Sequence, residues 1–267
     1  MSDVANRLRT DKEKIYGRLL IVFGPLLWVI VGLGLMGILA TASPAAAGVL
    51  GVYIFYGILA VVFIHISSLA YRANAFGNMV LLSPEQFPDL HAMVVAGARD
   101  LKMGTPQTFL YNSNGQFNAF ARRIFGNRFV FLTSALVEAD DDEQIRFVIG
   151  HELGHHAAGH LNPWMNFLKF PGRLVPFLYP AYSRARELTC DRIGLHLSND
   201  LQASRSSLLM LGCGCRRLNS TLNCEAFVKQ EALMPPVFGF LTEIFRSHPR
   251  LTRRLAALNR QHENRVN

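Results

Sequence analysis

Four histidines and one glutamate fall within the twelve residues from Ile149 to His160. His151 and His155 are four positions apart, so on a helix they lie on the same face, one turn from each other. Two imidazoles at this spacing bind Zn²⁺ side by side, and the carboxylate of Glu152 reaches the water bound to the same ion. The pattern therefore predicts a helix that presents a catalytic metal site.

A second pair at the same spacing, His156 and His160, lacks this carboxylate, because Ala157 occupies the corresponding position. This pair could hold a metal ion but could not activate water in the same simple way. Given the histidine and glutamate content of the chain, the H-E-x-x-H pattern arises by chance in roughly one chain in a hundred. The pattern becomes specific when a third ligand follows in a suitable position.

The candidates for that third ligand are Glu187 and Asp191, one turn apart on a predicted helix that begins near Ser183. A catalytic zinc takes three protein ligands and a water, so one of these carboxylates can complete the set. The other can accept a hydrogen bond from the second ring nitrogen of a ligand imidazole and fix its tautomer. The alternative is that both acids pair with Arg184 or Arg192 on a solvated helix face.

The elements that must position these residues begin with a membrane anchor. No Asp, Glu, Lys or Arg occurs between Arg18 and Arg72, and this window contains two apolar runs, Leu19–Thr41 and Gly48–Ala70. Each run is just over 20 residues long, about the length that a helix needs to cross ~30 Å of hydrocarbon. We therefore predict a transmembrane helical hairpin in residues 19–71.

Cations flank this hairpin at both of its ends, whereas the connecting turn, residues 42–47, carries none. Arg72 follows the hairpin, and five cations precede it: Arg7, Arg9, Lys12, Lys14 and Arg18. Lys and Arg in short flanks stay on the cytoplasmic side of a membrane. We therefore expect a multi-pass protein of the cell membrane, with a cytoplasmic segment in residues 1–18 and a cytoplasmic domain in residues 72–267.

Beyond the hairpin, turn signals and apolar spacing predict a mainly α domain with a small antiparallel sheet, an α+β class. One helix is expected to start at Ser83, and another should run from the acidic cluster Glu138–Glu143 through the histidines to about Gly159. Prolines and charges in residues 161–181 exclude a further membrane span there. Three short strands are expected to form an antiparallel meander: Thr108–Tyr111, Gln116–Ala121 and Arg128–Leu132.

The formal net charge is +8, and several arginines lie in a basic tail between Arg246 and Arg265. Such a tail could bind nucleic acid, lie near anionic lipid head groups or be solvated, and the membrane anchor favours the last two. The cysteines should be reduced in a cytoplasmic domain, so we expect small buried hydrophobes rather than disulfides or a zinc knuckle. They are Cys190, Cys213, Cys215 and Cys224.

Four ordered motifs resemble one protein family. The H-E-x-x-H pattern, followed by S-R-x-x-E-x-x-x-D-x-x-G from Ser183, resembles the HtpX-like membrane zinc metallopeptidases, whose relatives include the CaaX prenyl proteases. The segment Asn118–Ala121 matches their N-A-F-A segment, and Ser247-His248-Pro249 with Arg254 matches their late S-H-P…R element. The resemblance covers roughly Ser83 to Leu258 and the membrane helices before it.

The resemblance implies a zincin-type metallopeptidase domain with one Zn²⁺ per chain. It implies that His151, His155 and Glu187 are the zinc ligands. Glu152 becomes the general base, and Asp191 supports the ligands from behind. His248 and Arg254 are implied near the cleft, where a donor can stabilise the oxyanion. The substrate-binding strand is implied to contain Asn118, Ala119, Phe120 and Ala121.

The chain departs from this family between its two motif helices. HtpX-like enzymes carry further membrane helices there, but the interval Leu161–Ser183 is too short for two crossings. We predict that Trp164–Tyr182 is an interfacial flap lying against the bilayer, with a structural cap over the core as the alternative. Cys190 also stands where the family usually has a small Ala.

The expected function is that of a membrane-anchored zinc endopeptidase in membrane-protein quality control. Its expected partners are the lipid bilayer and polypeptide substrates, membrane proteins among them. The formation of a homo-oligomer is left as an open possibility. The alternatives are a processing protease of narrow specificity, a catalytically silent zinc-binding scaffold, and a nucleic-acid binder that acts through the basic tail.

Overall fold

The computed structural model describes residues 2–41 and 43–266, with side chains described up to Glu263. Met1, Ala42 and Asn267, which fall in the predicted segments, and the side chain of Arg265 lie outside the described residues. Short 3-10 turns cover Phe170–Leu174 and Gln230–Leu233. The described helices are α1 (Asp3–Leu8), α2 (Asp11–Thr41), α3 (Pro44–Asn78), α4 (Pro88–Asp100), α5 (Ser134–Ala139), α6 (Asp142–Ala157), α7 (Pro163–Lys169), α8 (Leu178–Ser198), α9 (Leu201–Cys213), α10 (Arg216–Asn219), α11 (Cys224–Lys229), α12 (Pro236–Ile244) and α13 (Leu251–Val266).

Helices α2 and α3 are the predicted pair of long apolar helices. Both are long and apolar enough to cross a membrane, with mean hydropathies of 2.5 and 2.4. The Ser43 hydroxyl accepts a hydrogen bond from the N–H of Ala46, and Pro44 occupies the first turn, so α3 begins with a strong start signal. Because helical backbone hydrogen bonds need no apolar sequence, α2 begins before its apolar run, at Asp11, and α3 continues beyond its run to Asn78.

The sheet is mixed rather than antiparallel, so the predicted meander is wrong. Its strands are β1 (Val80–Leu81), β2 (Gln107–Tyr111), β3 (Ala119–Ile124) and β4 (Asn127–Thr133), in the order β1-β2-β4-β3. A tight turn through Phe125 and Gly126, both with positive φ, makes β3 and β4 antiparallel. The longer connection in residues 112–118 leaves room for β4 beside β2, and these two strands are parallel. β1 pairs antiparallel with β2 and was not predicted.

Two predicted helix starts were wrong by about one turn. Ser83 forms an isolated bridge with Gln86, and Phe87 has a left-handed backbone, so α4 begins only at Pro88. Pro84 and Pro88 both fit the first turn of a helix. The sequence alone does not distinguish them, and the capping Ser83 favoured the earlier start. The helix expected near Ser183 begins already at Leu178. In contrast, α6 begins in the predicted acidic cluster, where Asp141 and Gln144 form a capping box.

Helices α6 and α8 pack with their backbones unusually close together. A Cβ atom on Gly150 would lie 2.9 Å from the Cα of Gly194, and one on Gly154 would lie 3.3 Å from the Cα of Cys190. At Gly150 only glycine permits this approach, because an added Cβ would overlap the facing backbone, and at Gly154 it would force the facing helix to shift slightly. We call this contact the glycine seam. It brings the predicted histidine pair and the predicted carboxylates face to face.

The amino-terminal segment packs on the same two helices. The backbone N–H of Ser2 donates to the carbonyl of Ala157 at the end of α6, and the N–H of Thr10 donates to Thr189 Oγ1 on α8. Val4 and Ala5 are buried in the main hydrophobic core. Residues 2–18 are therefore folded against the domain, and the boundaries of the three predicted segments stay a prediction.

The apolar stretch after α6 contains α7 and the 3-10 turn at Phe170–Leu174, which together we call the flap segment, Pro163–Leu174. Trp28 on α2 donates its Nε1–H to the carbonyl of Phe167, and the two rings stack at 4.8 Å. Trp164 and Leu174 are 76% and 75% exposed. The predicted flap ended too late, since residues 178–182 belong to α8.

Two of the four cysteine predictions were wrong. Cys190 and Cys224 are buried as expected, but Cys213 is half-buried and Cys215 is exposed. Both lie around Gly214, whose positive φ ends α9. The turn carries its side chains away from the core, so their burial could not follow from residue type alone. All four cysteines are free thiols.

Candidate functional site

The three side chains predicted to bind zinc converge between α6 and α8. His151 and Glu187 are buried, and His155 is nearly so. Nε2 of His151 lies 3.4 Å from Oε2 of Glu187, and Nε2 of His155 lies 3.6 Å from Oε1 of the same carboxylate. Zinc ligand atoms at about 2.0–2.1 Å from a tetrahedral ion lie about 3.4 Å from one another. The spacing of these donors therefore fits a zinc ion.

Cys190 offers an alternative third donor. The donor atoms of His151, His155 and Cys190 lie within 4.8 Å of one another. A thiol binds metal as a thiolate, but burial and nearby carboxylates raise the pKa of Cys190 well above its usual value.

Glu187 is the more suitable third ligand. Burial raises the pKa of Glu187, but its hydrogen bond with His151 and the charges of both histidines outweigh this effect and hold the pKa well below its usual value. Its carboxylate is therefore ionised, and an anionic oxygen donor is ready to bind a cation without losing a proton.

Behind His151 lies a carboxylate that is itself held by an arginine. Nδ1 of His151 is 3.0 Å from Oδ1 of Asp191, and Arg254 donates to both oxygens of Asp191 at 2.8 Å and 2.6 Å. Burial raises the pKa of Asp191, but Arg254 outweighs burial and lowers it. The ionised Asp191 holds the proton of His151 on Nδ1, so that Nε2 faces the site.

Glu152 is buried beside the histidines and faces the same cleft. Burial raises its pKa to about 7; the charge of His151 opposes this rise, and the charge of Glu187 adds to it. A carboxyl group with a pKa near neutrality can both accept and return a proton at physiological pH. The backbone of Ala121 hydrogen-bonds this carboxylate, so β3 lies directly at the site.

The site opens into a cleft of about 490 Å³. Strand β3 lies at the edge of the sheet, and its first residues form one wall of the cleft. The predicted substrate-binding residues lie in this wall: Asn118, Ala119, Phe120 and Ala121. The hydroxyl of Thr133 on β4 donates to the carbonyl of Asn118 at 3.0 Å and so fixes the residue that precedes β3.

His248 lies at the mouth of the cleft, on the loop between α12 and α13. Its side chain is 66% exposed, and its Nε2 is 3.7 Å from Oε2 of Glu187. Nδ1 is hydrogen-bonded to the hydroxyl of Ser247 at 2.9 Å. The structure thus brings His248 to the site, whereas Arg254 lies behind Asp191.

The other two histidines of the cluster lie outside the donor set. Burial lowers the pKa of His156 to about 4, and its Nε2 is 3.0 Å from the carbonyl of Phe129 in β4. His160 contacts His155 through their Nδ1 atoms, 3.1 Å apart, and contacts Glu13 on α2. Glu13 was not predicted, because nothing in the local sequence links the start of a membrane helix to this site.

Comparisons with known proteins agree with this architecture. The sequence profile described as Peptidase family M48 matches residues 84–171 and 167–262, well over half of the chain. The Protease HtpX homolog of Methylibium petroleiphilum is 28% identical over 213 residues, which cover 64% of this chain and 74% of that protein.

A chloroplast protein of Arabidopsis thaliana, Plastoglobule-localized metallopeptidase 48, is 30% identical over 170 residues. The match covers 58% of this chain, which spans about half of that relative, 48% of its length. Among solved structures, S. mikatae Ste24p is similar with a TM-score of 0.51 at 17% identity, over 93% of this chain and 66% of that one. This last likeness shows a shared fold.

Proposed function

The chain belongs to peptidase family M48, and from that premise we propose that it is a membrane-anchored zinc endopeptidase. The resemblance to HtpX-like metallopeptidases is confirmed, and it supports the broader inference of a membrane metallopeptidase. One observation carries the finer proposal: two imidazole nitrogens and the carboxylate of Glu187 converge at zinc spacing, beside the buried Glu152.

In this proposal His151, His155 and Glu187 hold one Zn²⁺. When bound, zinc supplies the Lewis acidity that polarises the scissile carbonyl and acidifies the attacking water. Glu152 accepts the proton of that water and later passes it to the leaving amine. Its pKa of about 7 supports both transfers.

His248 is proposed as a donor to the oxyanion. Its ring lies at the cleft mouth, and the bond between Ser247 and Nδ1 leaves Nε2 directed at the site. A preorganised donor at this point stabilises the charge that develops on the carbonyl oxygen.

The substrate is proposed to bind as an extended peptide along β3. Strand β3 is an edge strand, so the backbone groups on its outer side can form a ladder with a peptide laid in the cleft. Backbone hydrogen bonds at Asn118–Ala121 depend little on the side chains of the substrate, which supports a broad substrate range. We extend this to removal of damaged membrane proteins; a narrow processing protease is the second candidate, and a single defined cleavage site in a proteomic screen would favour it.

The membrane arrangement is proposed as multi-pass, with the domain facing the cytoplasm, from the distribution of cations around the hairpin. The flap segment contacts α2 at Gly24 and Trp28, inside the apolar run that starts at Leu19. At 1.5 Å per residue this contact lies roughly 8–14 Å into the run. A cap over the core would leave no reason for Trp164 to stay exposed, so these contacts support the interfacial flap.

The basic tail gives little support to nucleic-acid binding. Arg250 and Arg253 pair with Glu231 and Glu243, and Arg254 pairs with Asp191. Arginines that already neutralise carboxylates of the same chain have less charge to offer to phosphates.

Zinc content and casein cleavage of the detergent-purified chain, measured beside Glu152→Gln, test the proposal. We expect about one zinc in both and cleavage only by the unmodified chain, at a rate about 10²–10⁴-fold above that of the variant. A chain that binds zinc but does not cleave, like its variant, would favour the silent scaffold. Absence of zinc in both after metal is added back would overturn the ligand assignment.

A further inference from the structure

We propose that the amino-terminal segment completes the metal centre: Glu13 orients His160, and His160 orients the zinc-binding ring of His155. This inference rests on the proposed function, since it assigns His155 as a ligand. We call the three side chains the Glu13–His160–His155 relay. It makes the first membrane helix a part of the catalytic site rather than only its anchor.

The geometry of the relay is short and enclosed. Oε1 of Glu13 lies 3.0 Å from Nε2 of His160, and both side chains are 1% exposed. Nδ1 of His160 lies 3.1 Å from Nδ1 of His155. The thiol of Cys190 lies 3.6 Å from Nδ1 of His160, farther away than Nδ1 of His155.

The positions of the protons follow from this arrangement. A neutral imidazole that binds metal through Nε2 carries its proton on Nδ1, so His155 donates to Nδ1 of His160. Nδ1 of His160 must then accept, which places the proton of His160 on Nε2, facing the carboxylate of Glu13. One carboxylate therefore fixes the tautomers of two rings and leaves Nε2 of His155 available to the ion.

Glu13 is held in place by contacts to both helices of the seam. Its carboxylate pairs with Arg9 at 3.0 Å, and Arg9 also donates to the carbonyl of Ala158 just after α6. Its backbone N–H reaches Thr10 Oγ1, while Thr10 bonds to Thr189 on α8. A carboxylate buried this deeply requires such partners, and anchoring a helix in a membrane requires none of them.

The relay repeats the support found behind the other imidazole. Asp191 and Arg254 back His151 directly, whereas Glu13 and Arg9 back His155 through His160. Each proposed zinc ligand on α6 is therefore supported, directly or through His160, by a carboxylate that pairs with an arginine. A domain cut free of residues 2–18 would lose the second of these supports.

The test is the zinc affinity of the full chain in detergent, measured by competition with a chromophoric chelator, together with the visible spectrum of the Co²⁺-loaded chain. We expect Glu13→Gln to weaken zinc binding about 10–100-fold and to shift the cobalt bands. Asp11→Asn is the matched control, because it makes the same carboxylate-to-amide change on an exposed side chain two positions earlier and touches none of the three relay residues. It should keep zinc affinity within about threefold and leave the cobalt bands in place.

Zinc affinity within about threefold and unchanged cobalt bands in Glu13→Gln would overturn the relay. If Glu13→Gln does not fold, His160→Gln replaces it with the same two expectations. The proposed function fails separately, since in that case the unmodified chain itself binds no zinc. A chain that binds zinc and cleaves casein, while Glu13→Gln binds zinc equally well, overturns the relay alone.

A different observation carries a second inference: within the described chain, one apolar face of α12 is largely exposed. Val237, Phe238, Phe240 and Leu241 are exposed, three of them by more than 60%, while Gly239 and Glu243 on the other face are buried. We infer that this apolar face of α12 lies in the membrane interface, buried among lipid acyl chains of one leaflet. A short amphipathic helix of this kind lies in the plane of the membrane.

Continuity with α2 supports this occupant. Phe240 and Tyr16 line the same hollow, so α12 lies beside the turn of α2 that precedes the apolar run. At its other end, the ring of Phe245 contacts that of Phe177, 5.5 Å away, just after the flap segment. Arg184 donates to the carbonyls of Glu243 and Ile244 and fixes the orientation of the helix.

Quenching by lipids with brominated acyl chains tests this placement. Phe238→Trp is introduced into a Trp28→Phe, Trp164→Phe chain and reconstituted in vesicles of phosphatidylcholine and phosphatidylglycerol. We expect strong quenching, and little quenching for Asp142→Trp at the start of α6, the matched control. Equal quenching at both positions, or emission at Phe238→Trp that changes with protein concentration instead, as at a contact between copies, would overturn the inference.

Discussion

The glycine seam and the flap segment are built in opposite ways. At the seam, the backbones of α6 and α8 approach so closely that a single added carbon at Gly150 would overlap Gly194. In the flap segment, Trp164 and Leu174 stand largely exposed. Its inner side packs on α2 through the ring stack and hydrogen bond at Trp28 and a close approach to Gly24. We therefore expect changes at the seam to disturb the proposed metal centre and changes in the flap segment to leave it intact.

The largest effect is expected from Gly150→Val at the seam. Its Cβ would lie 2.9 Å from a backbone atom that cannot move without separating the two helices. Overpacking of this kind costs about 1–3 kcal/mol or more. We expect a clear fall in the melting temperature and loss of bound zinc, measured by thermal unfolding and by metal analysis of the purified chain.

The matched control is Gly34→Val in α2, where an added Cβ meets nothing within 4 Å. Gly34→Val should have the same melting temperature as the unmodified chain and should keep its bound zinc. If Gly150→Val behaves like Gly34→Val, the seam does not constrain the metal centre, and the contrast with the flap segment disappears.

An intermediate effect is expected from His248→Ala, at the mouth of the cleft. Its Nε2 lies near the carboxylate of Glu187, but its side chain is exposed, as are Trp164 and Leu174 of the flap segment. Loss of an oxyanion donor costs about 10²–10³-fold in kcat, and we expect the lower end because the ring is solvated. Steady-state cleavage of casein should show a lower kcat, with KM and zinc content unchanged. An unchanged kcat would place His248 with the flap segment, outside the chemistry.

The smallest effect is expected from Trp28→Phe, which keeps the ring stack on Phe167 but removes the hydrogen bond to its carbonyl. A single hydrogen bond contributes about 0.5–1.5 kcal/mol. Hydrogen exchange in Pro163–Leu174 should become faster, while zinc affinity stays the same. A drop in zinc affinity would show that the flap segment supports the metal centre after all.

The residues that we propose as metal ligands stand out in the sequence because their spacing is local. His151, His155 and Glu152 follow from one turn of helix, and Glu187 with Asp191 follow from another. The membrane helices were equally clear, because hydrophobic length is a property of a continuous stretch. The motifs also placed Asn118–Ala121 and His248 near the cleft, where they lie.

What the sequence could not provide depends on contacts between distant segments. The parallel pairing of β2 with β4 follows from the path of residues 112–118, which turn residues do not specify. Glu13 reaches His160 across 147 positions of sequence, and no periodicity points to such a pair. The start of α4 at Pro88 is different, because it accompanies a local turn in which Ser83 pairs with Gln86 and Phe87 takes a left-handed backbone.

The most direct test of the ligand assignment is X-ray absorption at the zinc edge of the zinc-loaded full chain. We predict nitrogen and oxygen neighbours at about 2.0–2.1 Å, from His151, His155 and Glu187, and no sulfur neighbour. A sulfur scatterer at about 2.3 Å would contradict it, because Cys190, rather than Glu187, would then complete the site.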